Sequence, residues 1–181
     1  MTIHYTLEEN DFITYQLYVA SVSKRMQAKR SRSKVRVSLI YLAGGLWLAV
    51  LGVLVMGTVF MTAAVGWFFL YPIWERRHYL RHYTAYVKEH FAPRVGKEIS
   101  LEITDDFMYT KTATSESKVH TSEIEQLTEI PTLFILQLKG GQAFLLPKYK
   151  MADREAVSAR LKSLAGHLGV EYVGVDKWEW K

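Results

Sequence analysis

Residues 37–74 contain no Asp, Glu, Lys, Arg or His, and this 38-residue run decides what the rest of the chain can be. One transmembrane helix takes roughly 20 apolar residues at about 1.5 Å rise per residue. The run is therefore too long for one ordinary span and just enough for two short ones. A two-helix transmembrane hairpin is expected over residues 37–75, with spans at about 37–56 and 58–75 and a turn near Gly57-Thr58. Met56, Val59, Phe60 and Met61 make that turn apolar. A hairpin that enters the bilayer without crossing it therefore stays open as an alternative.

The charge distribution orients this hairpin. Residues 1–96 hold 12 Lys and Arg against 5 Asp and Glu, a net of +7, whereas residues 97–181 hold 11 against 13, a net of −2. The surplus flanks the apolar run instead of sitting on a folded domain or a tail, which argues against nucleic acid as a partner. Lys24, Arg25, Lys29, Arg30, Arg32, Lys34 and Arg36 precede the run with no acid among them, and Arg76, Arg77 and Arg81 follow it. These ten residues are the candidate lipid-headgroup contacts, each worth about 1 kcal/mol near an anionic leaflet. Cations at both outer ends and none at the turn put both termini in the cytosol by the positive-inside rule. A multi-pass protein of the cytoplasmic (inner) membrane is expected. The first 30 residues do not read as a cleavable signal, because Glu8, Glu9 and Asp11 stand where a basic start and an apolar core belong.

Within the run, Gly45 and Ala49 have the small-xxx-small spacing that lets helix backbones approach closely, and Gly52 extends it. Helix packing inside the hairpin is the preferred use of these three residues, with a homo-oligomer contact as the other. Tyr41, Tyr71 and Trp74 fit an interfacial aromatic belt, whereas Trp47 and Trp67 fall outside it and are expected to pack within the bilayer.

The flanks carry their own helices. Residues 3–6 read as a short strand. Thr6 and Glu9 have capping-box spacing, and Phe12, Tyr15, Val19, Val22 and Met26 then recur at helical intervals as one apolar face. Residues 1–36 thus form a strand, an amphipathic helix and a basic juxtamembrane segment. A juxtamembrane helix over 76–93 continues from Trp74 and ends at Pro93. His78 and His82 lie four apart on it, a spacing that can hold a metal but reads here as a solvated interfacial pair.

Residues 94–181 read as a cytosolic domain. Ile99, Leu101 and Ile103 alternate with polar neighbours, as in a half-buried strand. Phe107–Thr112 is a second strand, and 118–129 supplies one or two more. Leu133–Leu138 is apolar enough to be central, Lys139-Gly140-Gly141 is a hairpin turn, and 142–146 returns. Asp153 caps a helix with Val157, Leu161, Leu164 and Leu168 on one face. The tail from Val170 offers a short extended piece.

The opening IHYTLEENDFITYQLYVASVS, the double apolar segment after it, and the stretch SEIEQLTEIPTLFILQLKGGQAFLLPKYKMADREAVSARLK together resemble the bacterial YcxB-like proteins. The chain departs from that pattern in one respect. Ile124 and Leu127 occupy the strand before the central one, where the family commonly has an aromatic residue. The resemblance implies a membrane α + β fold: the hairpin, followed by a small β-barrel or antiparallel sheet of pleckstrin-homology-like type capped by one α-helix. It brings no enzyme activity and no catalytic residues.

No nucleophile, metal or phosphate-cradling motif stands out among the six His and the Ser/Thr clusters at 110–122. Glu123, Glu125 and Glu129 read as a solvated strand face, and Lys148 and Lys150 as solubilising charge or a basic rim. No catalytic residue, cofactor or metal is expected. The expected function is a non-enzymatic membrane protein presenting a binding or scaffold domain at the inner leaflet, with membrane lipids and an unidentified protein as partners. The alternative is an immunity protein against a membrane-acting toxin.

Overall fold

The computed structural model describes residues 1–180. They divide into two compact units, one of Met1–Tyr15 with Thr84–Glu179 and the other of Gln16–Tyr83 with Trp180.

The first unit holds two four-stranded sheets. Strands β1 (Thr2–Thr6), β2 (Glu98–Ile103), β3 (Phe107–Thr112) and β4 (Glu116–His120) form an antiparallel sheet in that order. Strands β5 (Ile124–Glu129), β6 (Leu133–Leu138), β7 (Ala143–Pro147) and β8 (Glu171–Gly174) form the second, in the order β7-β6-β5-β8. Here β8 runs parallel to β5 while the other pairs are antiparallel. The 118–129 stretch resolves into two strands of different sheets, separated by a 3-10 turn at Thr121–Glu123.

β6 is central, and Leu133, Phe134, Ile135, Leu136 and Leu138 are all buried. Its run is nearly continuous because both of its faces are covered, unlike β2, where Leu101 and Ile103 alternate with half-exposed neighbours. Gly141 closes the β6–β7 hairpin at φ +79, and Leu138 N donates to Gln142 O. Helix α4 (Arg154–Leu168) starts where the Asp153 carboxylate accepts from Ala156 N and stops at Gly169, φ +65. Val157, Leu161, Leu164 and Ala165 are its buried face, while Leu168 is half-exposed.

The first strand of this unit comes from the far end of the chain. Thr6 lies opposite Glu98 and Thr2 opposite Glu102, and Gly96 N donates to Leu7 O at 2.8 Å. The folded unit is therefore discontinuous. It draws on residues 1–15 and 84–93 as well as on the 94–179 part of the expected domain. The Phe12 and Phe91 rings meet, tilted, at 4.8 Å and Val87 is fully buried, so residues on both sides of the inserted segment complete the core.

Helix α1 (Glu9–Val22) differs from the sequence reading in its cap and its face. Capping comes from Asp11, the third residue of the helix, and not from the Thr6/Glu9 box: its Oδ2 accepts from Glu8 N at 2.8 Å and from Tyr149 OH at 2.9 Å. The buried residues are Phe12, Ile13, Leu17, Tyr18 and Ala20, whereas Val19 and Val22 are exposed. Consecutive burial of Asp11, Phe12 and Ile13 means that α1 is covered on more than one side. The period also stops at Ser23, so it cannot run on to Met26.

The second unit is a helical hairpin. Ser23 is extended and caps a new helix, α2 (Lys24–Val50), so the basic stretch and the apolar stretch are one rod. Helix α3 (Leu54–His90) likewise runs unbroken from apolar to basic, and the chain then makes a 3-10 turn at Ala92–Arg94 around Pro93. The turn between α2 and α3 is Leu51-Gly52-Val53, about five residues ahead of the expected Gly57-Thr58. Gly52 sits at φ +82, Val53 N donates to Leu48 O, and Gly52 N donates to Ala49 O. This paired 6→1 and 5→2 pattern is a Schellman stop, which needs a left-handed residue after the helix.

Candidate functional site

The shifted turn changes which small residues pack. A side-chain carbon on Gly45 would lie 2.9 Å from Gly57 O, and one on Gly57 would lie 2.8 Å from Gly45 O and 3.1 Å from Ala49 N. Gly45 and Ala49 on α2 therefore face Gly57 on α3, inside the hairpin. Gly52, grouped with them in sequence, has open space around it and serves the turn instead. Gly57, expected in the turn, is the packing residue that the sequence reading missed. The same shift places Trp47, which is exposed, close before the turn.

The basic stretch is not uniform either. Lys24, Arg25, Lys29, Arg32 and Arg36 are exposed, while Arg30 and Lys34 are half-buried. Lys34 Nζ sits 3.7 Å over the Phe68 ring. Arg30 Nε donates to Glu75 Oε2 at 2.9 Å, and its guanidinium lies 4.9 Å from the Trp180 ring and 5.9 Å from the Tyr79 ring. Glu75 is only 4% exposed, and its other oxygen accepts from Tyr71 OH at 3.1 Å. Tyr71, assigned from sequence to the aromatic belt, is buried for this reason. The acid missing from residues 24–36 is thus supplied by α3, one residue beyond the uncharged run.

This pair lies in a cleft of about 320 Å³ between α2 and α3, with Lys29, Tyr79, His78 and His82 on its walls. His78 stacks on Trp74 at 5.0 Å and 14°. On the other side of that stack is a groove of about 260 Å³, lined by Leu70, Ile73, Trp74, Arg77, His78 and Arg81. Arg76, Arg77 and Arg81 are exposed. Glu75, His78 and His82 share the helix face, but among the described residues no three His, Cys, Asp or Glu are arranged to hold a metal.

In the other unit, Glu123 and Glu125 are exposed, as a solvated strand face requires, but Glu129, Lys148 and Lys150 are paired. Glu129 Oε1 accepts from Lys148 Nζ at 2.7 Å, and its Oε2 accepts from Ser158 Oγ at 3.2 Å and from Tyr172 OH. Burial pushes the Glu129 carboxyl up, but these three donors outweigh it and hold it below the usual range. Burial and the same carboxylate push the Tyr172 phenol up to about 12. Lys150 Nζ pairs with Glu8 at 2.8 Å. Lys148 and Lys150 are therefore not a free basic rim, and Glu129 is not on a solvated face. The residues that engage them are 19 to 142 positions away, so no local signal announces the pairing.

Residues 103–162, from the end of β2 to the middle of α4, match the family model described as YcxB-like protein. Over that stretch, about a third of the chain, the sequence is similar to that family. The match covers β3 to β7 and the first half of α4, that is, the two sheets minus β1, β8 and most of β2. It leaves the hairpin and the β1–β2 pairing outside. No curated protein and no solved structure matches the chain. Two helices, α2 and α3, are long and apolar enough to cross a membrane.

Proposed function

We propose that this YcxB-like chain is a multi-pass protein of the cytoplasmic (inner) membrane with both termini cytosolic. On this reading it acts without catalysis, presenting a pleckstrin-homology-like domain to a protein partner at the inner leaflet. The observation that carries the proposal is the pairing of Thr6 with Glu98. Residues 7–97 leave one sheet and return to it at neighbouring positions. A segment that starts and ends at one point of a folded unit crosses a bilayer an even number of times or not at all. α2 and α3 reverse once, at Gly52, which supports two crossings. Cations at both outer ends support a cytosolic position for the sheet-bearing side.

The arm lengths support crossing. Leu54–Trp74 is uncharged and spans about 32 Å, enough for a hydrocarbon core of roughly 30 Å. Val37–Val50 spans only about 21 Å, so exposed Arg36 must reach the interface along its aliphatic stem. Trp47, exposed near the turn, then lies at the far interface, where indoles are favoured. The pleckstrin-homology-like assignment is supported by two sheets followed by the single long helix α4, with β8 as an addition.

The chain has no cysteine, so single substitutions report cleanly. In spheroplasts, an impermeant maleimide should label Val53→Cys at the turn and spare Ala113→Cys in the β3–β4 loop until the membrane is opened. Labelling of Ala113→Cys in intact spheroplasts would refute the orientation. Protection of Val53→Cys in both states would refute crossing. A photo-crosslinker at exposed Lys118 should capture a discrete protein in cells, and purely lipid adducts would remove the scaffold half of the proposal.

A further inference from the structure

The groove beside Trp74 combines two chemistries along one helix face. Leu70, Ile73, Trp74, Arg77, His78 and Arg81 are spaced i, i+3, i+4, i+7, i+8 and i+11, the repeat that brings side chains to one side of a helix. The lower half of the stripe is apolar and exposed, and the upper half is cationic and exposed. Among the described residues neither Arg77 nor Arg81 has an ion-pair or hydrogen-bond partner, in contrast to Arg30. No carboxylate lines the groove.

The change of chemistry falls at a definite depth. The uncharged run ends at Trp74, and Arg77 stands three residues, about 4.5 Å, further along the axis, with Arg81 about 6 Å beyond it. The polar layer outside the hydrocarbon is of the order of 5–7 Å thick per leaflet. Arg77 and Arg81, one helical turn apart, can therefore both reach a phosphate in that layer. Guanidinium forks suit phosphate oxygens better than point charges do. Below them, Leu70, Ile73 and the Trp74 ring offer a track for an acyl chain. The His78–Trp74 stack forms the wall and adds a ring nitrogen at headgroup height.

We infer that this groove is a binding site for one anionic phospholipid, its phosphate held by Arg77 and Arg81 and an acyl chain lying along Leu70, Ile73 and Trp74. The inference rests on the reading that α3 enters the bilayer. It differs from the diffuse attraction of the whole basic belt, because it requires these two arginines and not an equal charge elsewhere. Arg76 provides the comparison: it is adjacent in sequence but turned about 100° from the stripe.

The test uses the full chain in nanodiscs of phosphatidylglycerol and phosphatidylcholine, read by headgroup analysis of the lipid retained after delipidating purification. The unmodified chain should retain phosphatidylglycerol selectively. The double variant Arg77→Gln/Arg81→Gln should lose about tenfold of that retention, and the charge-matched variant Arg32→Gln/Arg76→Gln, which removes two cations of the diffuse belt, should lose clearly less. Equal loss in both variants, or no loss in the first, would overturn the site in favour of diffuse attraction. Displacement by millimolar inorganic phosphate would also overturn it, in favour of a free anion. A second measurement needs no arginine variant. Spin-labelled phosphatidylglycerol should quench the Trp74 emission, taken as the difference between the unmodified chain and Trp74→Phe, more strongly than spin-labelled phosphatidylcholine does, and equal quenching would refute the site. Because the maleimide experiment reports crossing independently, a failed groove and a failed membrane topology give different results.

Discussion

Arg30 Nε donates to Glu75 Oε2 at 2.9 Å across 45 residues of sequence, joining the basic half of α2 to the residue that ends the uncharged run of α3. Glu75 is buried, while the Arg30 side chain is 21% exposed. Arg30→Met leaves the Glu75 carboxylate buried with Tyr71 OH as its remaining donor. Removing one partner of a buried pair costs about 3–5 kcal/mol, whereas replacing both with apolar side chains is often nearly neutral. Arg30→Met should clearly lower the thermal midpoint of the full chain in detergent, followed by helix ellipticity. Adding Glu75→Leu should recover most of the loss. A double variant as unstable as the single one would show that the pair is not what Arg30 contributes.

The Gly45–Gly57 contact predicts unequal effects of one substitution at different glycines. Gly57→Ala puts a carbon against the Gly45 carbonyl, where only backbone can yield, so it should destabilise the hairpin. Gly66→Ala meets nothing within 4 Å and should be neutral or stabilising by about 0.5–1 kcal/mol, the usual gain for Ala over Gly in a helix. Gly52→Ala has room but must hold a positive φ, which costs roughly 1–2 kcal/mol. Thermal midpoints of the three variants in one detergent test the order. A Gly57→Ala variant as stable as Gly66→Ala would rule out the close approach.

Because β1 pairs with β2, the sheet unit should not survive simple truncation. A fragment of residues 94–181 exposes the β2 edge and loses the Phe12–Phe91 ring contact, so it should aggregate or remain unfolded. Residues 1–15 joined by a flexible linker to 84–179 should give a soluble, cooperatively unfolding domain. Circular dichroism and gel filtration of the two proteins distinguish the outcomes. A well-folded 94–181 fragment would mean that β1 is dispensable.

The Glu129 cluster predicts a pH dependence of the sheet unit. The folded carboxyl lies below its ordinary value, so its contribution is present above the unfolded pKa, about 4.3, and is lost as pH falls through the folded value. Tyr172 is shifted up to about 12, so its contribution is present below its ordinary value of about 10 and is lost as pH rises from there towards 12. In chemical unfolding of the linked domain, Glu129→Gln should flatten the acid limb and Tyr172→Phe the alkaline limb. An unchanged slope in both limbs would show that the cluster does not couple to folding.

The local elements were legible because each is decided by a few neighbouring residues. The uncharged run from Val37 to Trp74, the Lys139-Gly140-Gly141 hairpin, the nearly continuous apolar β6 and the α4 face of Val157, Leu161 and Leu164 all follow from composition or period. The hairpin turn was harder, because an apolar helix can stop at any of several glycines. Gly52 and Gly57 look alike in sequence, and only packing against Gly45 and Ala49 assigns one to the turn and the other to the interface. The face of α1 was misread for a related reason: a single stripe assumes cover on one side, and Asp11, Phe12 and Ile13 are all buried.

The sequence by itself determined where charge and apolar surface lie along the chain, since burial of a long uncharged segment and the spacing of turn residues are local properties. Tertiary structure alone decided which distant groups meet. β1 with β2, Arg30 with Glu75, and Glu129 with Lys148, Ser158 and Tyr172 are contacts between residues 19 to 100 positions apart. Hydrogen bonds and ion pairs act over about 3 Å of space and carry no trace in sequence spacing, so the partner of a cation or an edge strand is known only once the chain has brought it there.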